Sequence, residues 1–265
     1  MLFRRSAILL AAGLVIGGTA GVQAADLGGG SVKDAMPMAA PSPTWYFRID
    51  GGYAVHNDPS ISDRENYAIF TREDLDNTWT LGAGIGKYFG NNWRGDITVD
   101  YRFGADVSST VYPAPPGLFE TDLRSTVVLA NIHYDFNRGT RFTPYIGAGI
   151  GFVNHRMGST SITACSCDLD VKSHSDNDFA AAGMAGFTWN LGRRQEVVGS
   201  TKDGPVYVES DRGWKIDFGY RLLYLGDAET GRVIDTGDSS TFSRGFKVED
   251  IVAHEFRIGL RYDFR

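Results

Sequence analysis

The sequence predicts an all-β protein, an eight-stranded antiparallel up-and-down transmembrane β-barrel. Three observations carry this prediction. Apolar and polar residues alternate with period 2, the strand period, over segments of about ten residues. The polar face of these segments holds as many basic as acidic residues. Short links alternate with long polar links along the chain, as they do when strands run up and down.

The composition fits a single large β domain and excludes several other classes. The 265 residues include 33 Gly, 16 Phe, 12 Tyr and 5 Trp, so turn formers and aromatic residues are abundant. An aromatic content of 12% is too high for a disordered chain. The net charge of −6, with no long Lys/Arg run, excludes nucleic acid as an expected partner.

Residues 1–24 have the pattern of a cleaved secretory signal peptide. Arg4 and Arg5 form the charged start, residues 7–16 form a short apolar stretch, and Ala24 ends a small-x-small cleavage signal. Cleavage is expected between Ala24 and Ala25. Beyond this point no apolar run approaches the roughly 18 residues of a spanning helix, so any crossing of a membrane must use strands.

The remaining chain divides into a linker and a barrel. Residues 25–44 contain three consecutive glycines and prolines at 37, 41 and 43, which predicts a flexible periplasmic linker. Residues 45–265 are predicted to form the barrel. Its eight strands are expected at about 45–55, 79–89, 93–103, 128–136, 145–152, 178–189, 214–224 and 255–264.

Each predicted strand separates an apolar face from a polar face. The apolar faces of the first four strands are Trp45/Phe47/Ile49/Tyr53/Val55, Trp79/Leu81/Ala83/Ile85/Phe89, Trp93/Ile97/Val99/Tyr101/Phe103 and Val128/Ala130/Ile132/Tyr134/Phe136. Those of the last four are Ile146/Ala148/Ile150/Phe152, Phe179/Ala181/Ala185/Phe187/Trp189, Trp214/Ile216/Phe218/Tyr220/Leu222/Tyr224 and Phe256/Ile258/Leu260/Tyr262/Phe264.

The opposite, polar face decides between a soluble sandwich and a membrane barrel. A sandwich buries its apolar faces, whereas a membrane barrel turns them toward lipid and keeps polar residues in the lumen. Equal numbers of opposite charges suit a confined interior in which each charge needs a partner. The sequence therefore predicts seven basic and seven acidic residues in the lumen: Arg48, Asp50, Arg94, Asp96, Asp100, Arg102, Asp135, Lys215, Asp217, Arg221, Glu255, Arg257, Arg261 and Asp263.

The same face also carries glycines at 52, 82, 84, 86, 147, 149, 151, 219 and 259. An eight-stranded barrel is just wide enough for side chains to fill, so small residues must alternate with large ones. Aromatic residues cluster at both ends of the strands, as expected for two girdles at the headgroup layers.

The links predict which end faces which side. Short turns at 90–92 and 137–141 suit the periplasmic end, and long polar loops at about 56–76, 104–121, 155–177 and 226–249 suit the extracellular end. The link at about 191–213 departs from this rule, because it should be a short periplasmic turn and is long.

Several short motifs carry a family resemblance. They are Ala25-Asp-Leu27, Trp45–Tyr53, Leu81-Gly-Ala-Gly-Ile-Gly86 with its echo Ile146-Gly-Ala-Gly-Ile-Gly151, Asp217-Phe-Gly-Tyr-Arg221 and Gly259-Leu-Arg-Tyr-Asp-Phe264. Over about 25–265 the chain resembles the OmpA-like and opacity-type outer-membrane barrels of Gram-negative bacteria, small surface-antigen, porin-like proteins. The resemblance implies the cell outer membrane, contact with its lipid, and recognition of the last strand by the barrel-assembly machinery through Phe264, which Arg265 follows.

No motif indicates a cofactor or an active site. The glycine-rich stretch Gly82–Lys87 does not match a phosphate loop, since Leu81 and Tyr88 occupy the positions that need Gly and Ser or Thr. His133 is expected in the lumen, His254 on the outer face, and His155 and His174 in loops. No Ser–His–acid set shares a strand face, so we expect no enzyme.

The third long link contains two further candidate sites. His174 with Asp168, Asp170, Asp176 and Asp178 could bind a cation, but a solvated acidic loop is the favoured interpretation, and no metal is expected. Cys165 and Cys167, the two cysteines of the chain, form a candidate disulfide after export. The alternative is two free thiols, because a ring of three residues is strained.

These features predict a non-enzymatic outer-membrane barrel, a structural surface protein. Its four long extracellular loops would contact the environment or a host, with ligands that the sequence does not name. The alternative is a narrow, porin-like passive channel for small solutes, since a count of charges does not exclude a water path.

Overall fold

The computed structural model describes residues 44–63, 69–90, 92–112, 117–138, 140–164, 167–192, 194–201, 204–210, 213–235, 241–243 and 245–264. The predicted signal peptide, its cleavage site at Ala24 and Ala25, the linker up to residue 43, and Cys165 lie outside the described residues. Those expectations stay predictions. Among the described residues there is no helix long and apolar enough to cross a membrane.

Eight long strands close into an antiparallel barrel, which confirms the predicted fold class. In chain order they are β1 (Trp45–His56), β2 (Thr78–Phe89), β3 (Trp93–Tyr112), β4 (Gly117–Asp135), β5 (Phe142–Met157), β6 (His174–Asn190), β7 (Gly213–Tyr224) and β8 (Val252–Phe264). Each strand pairs with its sequence neighbours, and β1 also pairs with β8, from Trp45 opposite Phe264 to His56 opposite Ala253. The closure satisfies both edges of every barrel strand.

Ten shorter strands lie in the links of the described chain. They are Ser60–Asp63, Ile69–Leu75, Thr160–Ala164, Cys167–Val171, Arg194–Thr201, Gly204–Ser210, Ala228–Glu229, Val233–Asp235, Thr241–Ser243 and Phe246–Glu249. Most pair with one another, and Ile69–Leu75 extends the barrel sheet by pairing with β3. The link 191–213 contains the hairpin of Arg194–Thr201 and Gly204–Ser210, which accounts for its length.

The prediction of a polar loop at 104–121 is wrong. β3 continues to Tyr112 and β4 begins at Gly117, so the two strands form a hairpin that runs well past the barrel belt. A β-bulge between Arg102 and Ala105 shifts the inward positions of β3 from even to odd numbers. The alternation therefore breaks at the bulge although the strand continues.

The outer face of the barrel is apolar and its inner face is charged. Trp79 is 66% exposed and Phe256 is 62% exposed, whereas Arg94 and Asp100 are fully buried. A soluble β-sandwich has the reverse arrangement. The exposed aromatic and aliphatic side chains thus form the belt that faces lipid.

The interior has two layers with different chemistry. The layer toward the short turns and the middle of the barrel holds the buried charges. The layer toward the long links holds a core of buried apolar side chains that includes Val107, Phe119, Leu123, Val127, Leu129, Val153, Met157, Leu223, Leu225, Phe246, Val248 and Ile251. We call these the charged layer and the apolar layer.

Candidate functional site: the barrel interior

All fourteen charged residues predicted for the lumen face the interior. Each of their side chains is at most 9% exposed. They come from β1, β3, β4, β7 and β8, because inward positions recur at every second residue of those strands. A buried charge is costly unless it is paired and hydrogen-bonded, so the pairing pattern determines what the charged layer can do.

The ion pairs nearest the short turns join residues from different strands. Arg94 Nε lies 2.9 Å from Asp135 Oδ1, and Lys215 Nζ lies 2.7 Å from Asp263 Oδ2. Tyr88 also donates its hydroxyl proton to Asp263, at 2.7 Å. These contacts connect β2, β3, β4, β7 and β8 across the lumen.

In the middle of the charged layer, the Arg48 guanidinium and the Asp96 carboxylate each make several contacts. Arg48 makes a bidentate pair with Asp50, at 2.7 Å from Nε and 2.6 Å from Nη2. Asp96 accepts hydrogen bonds from the Tyr46 hydroxyl at 2.8 Å and from the Asn131 amide at 2.7 Å. The bidentate geometry is the strong form of such a pair, and it fixes both side chains.

Nearest the apolar layer, Arg221 bridges two acids. Its Nη1 lies 2.7 Å from Asp100 Oδ2 and its Nη2 lies 2.6 Å from Glu255 Oε2. Arg257 pairs with Asp100 at 2.7 Å, and Arg102 pairs with Glu255. The four groups beside Arg221 therefore form a closed network across the lumen.

Glycines on the inner face make room for this network. A Cβ at Gly82 would collide with the Asp100 carboxylate, and one at Gly259 would collide with the Asp50 carboxylate. The glycines thus stand where a charged side chain crosses the neighbouring strand, as the alternation of small and large interior residues requires.

The apolar layer closes the end of the barrel that carries the long links. Phe119 and Phe246 meet edge to face, with ring centroids 5.5 Å apart, and both are buried. Leu225 and Ile251, which flank the last long link, are also buried and are joined by a backbone hydrogen bond of 2.9 Å from Leu225 N to Ile251 O. Leu225 and Ile251 form the neck of this link.

A serine–histidine pair that sequence reasoning missed anchors the same neck. Ser125 on β4 faces His155 on β5 in register, with 2.7 Å between Oγ and Nδ1. His155 Nε2 lies 2.9 Å from the Leu225 carbonyl oxygen, which only accepts, so in the neutral imidazole Nδ1 accepts the Ser125 proton. The described residues place no carboxylate on this imidazole, and both side chains are buried.

The predicted positions of the histidines hold in part. His133 is buried in the lumen, with Nε2 3.4 Å from Asp96 Oδ2, and His254 faces outward, 2.6 Å from the Tyr220 hydroxyl. The assignment of His155 and His174 to loops is wrong, because β5 extends to Met157 and β6 begins at His174. Only the strand register could have revealed the Ser125–His155 pair.

The other predicted sites add no chemistry to the interior. Gly82–Lys87 lies within β2. Asp176 Oδ1 accepts the Asn177 amide, and Asp178 Oδ2 accepts the Asp227 amide, so both acids bind backbone. Within the described part of the chain, no group of three His, Cys, Asp or Glu residues is arranged to hold a metal. The disulfide of Cys165 and Cys167 stays a prediction, which titration of thiols in the unreduced protein would test.

The chain is similar to one protein family, to proteins of other bacteria and to solved structures. The model of the family described as outer membrane protein beta-barrel domain matches residues 34–264. An uncharacterized protein of Brucella abortus is 28% identical over 268 residues, which is 83% of this chain and 85% of that protein. A protein of Rickettsia akari named as a candidate adhesin is 22% identical over 227 residues, 83% of this chain and 87% of its own length. The crystal structure of the outer membrane protein OprG from Pseudomonas aeruginosa is 17% identical, with a TM-score of 0.48, and the match covers 85% of this chain and 99% of OprG.

Proposed function

The chain belongs to the outer membrane protein β-barrel family, and on that premise we propose that it is a non-enzymatic, non-conducting barrel that presents its long links for contact with the environment or a host. It is a surface-exposed protein of the cell outer membrane. The closed lumen, the orientation of the barrel in the membrane and the role in contact are the parts that we propose.

The ion-paired charges and the packed apolar core inside the barrel are the observation that carries the proposal. A passive channel for small solutes needs a continuous water path lined by polar groups. Here the charges of the lumen are engaged with one another, and the apolar layer seals the mouth above them. An ion would have to displace both layers to pass.

The Ser125–His155 pair supports a non-enzymatic role. A nucleophilic serine needs a base that a third group orients, and it needs access for a substrate. The imidazole is held by the Leu225 carbonyl, and the neck of the last long link covers both residues. The arrangement fastens a link to the barrel wall.

The lengths of the links support an orientation. The turns from β2 to β3 and from β4 to β5 are short, at one end, whereas the links from β1 to β2, β5 to β6 and β7 to β8 are long and contain strands, at the other. Outer-membrane barrels keep short turns in the periplasm and long loops outside. The relative named as a candidate adhesin supports contact with a host as the role of these links.

The alternative, a narrow porin-like channel, is favoured by one observation. A small cavity remains in the charged layer, lined by Arg48, His133, Tyr145 and Asp217 among others. Asp217 Oδ2, buried, accepts no hydrogen bond from the described residues. Such a position is where water in a conducting path would bind.

Planar-bilayer recording decides between the two functions. The refolded protein should give no steady openings, and an established porin recorded in the same bilayers provides the positive control. Steady single-channel openings of this protein would overturn the closed lumen and favour the channel.

Epitope insertion tests the orientation separately. A tag inserted at Arg232, which is exposed in the link between β7 and β8, should be labelled by antibody on intact cells. A matched tag inserted between Thr201 and Gly204, in the link between β6 and β7, should be labelled only after the outer membrane is permeabilised. The reverse pattern would show that the barrel is inserted the other way.

A further inference from the structure

Two arginines stand opposite each other on the outer face of the barrel wall. Arg124 on β4 is the register partner of Arg156 on β5, and both side chains are exposed. Directly opposed residues of an antiparallel pair have their Cβ atoms about 5 Å apart, and like charges in that position are destabilising. The two guanidinium groups are therefore expected to repel each other across the strand pair.

The neighbouring residues do not neutralise these charges. Arg124 Nη2 lies 3.6 Å from Asp122 Oδ2, an exposed ion pair of the kind that contributes little. In the part of the chain that the structure describes, Arg156 has no ion-pair partner. At least one positive charge of the two thus remains available for an external anion.

Small residues occupy the register positions that flank the pair. Gly104 on β3 neighbours Arg124, and a Cβ at that glycine would stand 3.3 Å from Asp122 Oδ1 and 3.6 Å from Arg124 Nε. Ser175 on β6 is the register partner of Arg156. A glycine, two arginines and a serine therefore follow one another across four strands, with no bulky side chain on either side of the pair.

The height of the pair on the wall identifies what it meets. Toward the belt, the next outward pairs are Thr126 opposite Asn154 and then Val128 opposite Phe152, which is 54% exposed and faces lipid. Four residues of a tilted strand place the arginines about 10 Å above that aromatic side chain. This is the level of lipid headgroups, just outside the hydrocarbon.

We propose that Arg124 and Arg156 form a binding site for the phosphate of an anionic lipid in the leaflet that surrounds the long-link end. Guanidinium groups bind phosphate oxygens through paired, charge-assisted hydrogen bonds, so one phosphate between the two arginines relieves their repulsion. Asn154 lies next to the pair on the side toward the belt. Its amide donates a hydrogen bond of 3.1 Å to Ser175 Oγ, which fixes this polar side chain. The choice of leaflet rests on the orientation proposed above, whereas the binding itself does not.

Native mass spectrometry of the refolded, delipidated chain in neutral detergent tests the site. The probes are phosphatidic acid, phosphatidylcholine of the same acyl chains, and inorganic phosphate. The wild type should retain phosphatidic acid in preference to phosphatidylcholine, and inorganic phosphate at equal concentration should not compete, because it lacks the acyl chains that hold the headgroup at this level. The R124Q/R156Q variant should bind phosphatidic acid about 30-fold more weakly, at roughly 1 kcal/mol for each arginine.

The matched control removes two positive charges at the opposite end. Lys87 lies 5.4 Å from the Trp45 ring and Arg141 lies 5.5 Å from the Trp189 ring, both near the short turns. The K87Q/R141Q variant should retain phosphatidic acid as the wild type does. Equal loss in both variants would indicate general charge attraction, and unchanged retention in R124Q/R156Q would exclude the site. Either result overturns the lipid site but leaves the proposals of a closed lumen and of the barrel orientation unaffected.

Discussion

The same strands build both layers of the interior, but charged side chains point inward in one layer and apolar side chains point inward in the other. In the part of β4 below the mouth, outward Ile132 is 50% exposed while inward His133 and Asp135 are buried. Nearer the long links, outward Glu120 and Asp122 are exposed while inward Phe119 and Leu123 are buried. The outward face of this strand therefore meets lipid around the charged layer and water at the end nearest the long links.

The comparison teaches that alternation alone does not identify the inside of a barrel. In lipid the apolar face must point outward, so the interior can accept charge as long as each charge is paired. Above the membrane the wall meets water, and the apolar face turns inward as in a soluble protein. The two layers should accordingly fail in different ways when they are mutated.

The largest effect is expected in the charged layer. Arg221→Met leaves Asp100 and Glu255 with one guanidinium fewer, and breaking a buried pair in this way costs about 3–5 kcal/mol. On a gel the folded barrel migrates faster than the unfolded chain. The temperature at which this folded band disappears on heating should fall strongly. Arg141→Met, which removes an exposed charge of the same type, should leave that temperature unchanged. If the two variants melt together, the buried network does not stabilise the barrel.

A charged residue placed on the lipid-facing side of the barrel should have the next largest effect. Val99 and Ile258 face lipid, at 49% and 54% exposed. An arginine placed at either position should cost about 2–4 kcal/mol in the middle of the membrane, and an acid somewhat less. Thr98→Ser, on the inner face beside Val99, should fold with the wild-type yield in lipid vesicles. Equal yields for Val99→Arg and Thr98→Ser would mean that inside and outside are assigned wrongly.

The sequence predicts the regularly alternating strands better than the extensions that form the apolar layer. The strict alternation of β1, β2, β7 and β8 predicts their bounds and the inward direction of residues such as Arg48 and Glu255. The bulge after Arg102 hides the extension of β3, because a shift of parity looks like the end of a strand. Most of the apolar layer lies on strand extensions and links beyond the predicted strand ends, so the alternation within those ends does not reveal it.

Pairing within the lumen could not be predicted at all. Arg221 and Asp100 are 121 positions apart, and Ser125 and His155 are 30 apart. Only the register of the closed barrel brings each pair to the same height. Sequence alternation reports the direction of a side chain, whereas its partner depends on the stagger between strands.

A smaller effect is expected in the apolar layer. Ile251→Val removes one buried methylene group from the closure of the mouth and should cost about 1 kcal/mol in urea unfolding. Ile49→Val makes the same change on the lipid face, where Ile49 is 53% exposed, and should cost less. A larger cost at Ile49 than at Ile251 would contradict the assignment of Ile251 to a packed core.

The smallest expected effect concerns the surface of the link that covers the mouth. Asp227 Oδ2 lies 2.7 Å from Lys247 Nζ, and Asp227 Oδ1 accepts the Asp250 amide at 3.0 Å. Partial burial acts to raise the pKa of Asp227, but the hydrogen bonds from Lys247 and Asp250 outweigh it and hold the pKa below the ordinary carboxyl value. A depressed folded pKa means that the stabilisation is present above the unfolded pKa and is lost as the pH falls through the folded value.

Because both side chains of the pair still reach solvent, at 28% and 27% exposed, its contribution should stay below about 1 kcal/mol. Hydrogen exchange over residues 225–251, compared between Asp227→Asn and wild type at equal pH, measures it without the intrinsic pH dependence of exchange. The variant should exchange up to about five-fold faster near pH 6, and the ratio should fall toward one as the pH is lowered below the ordinary carboxyl pKa and through the depressed folded pKa of Asp227, where the wild-type carboxylate is protonated as well. A ratio that stays constant over this fall in pH would show that the carboxylate charge is not what holds this link over the apolar layer.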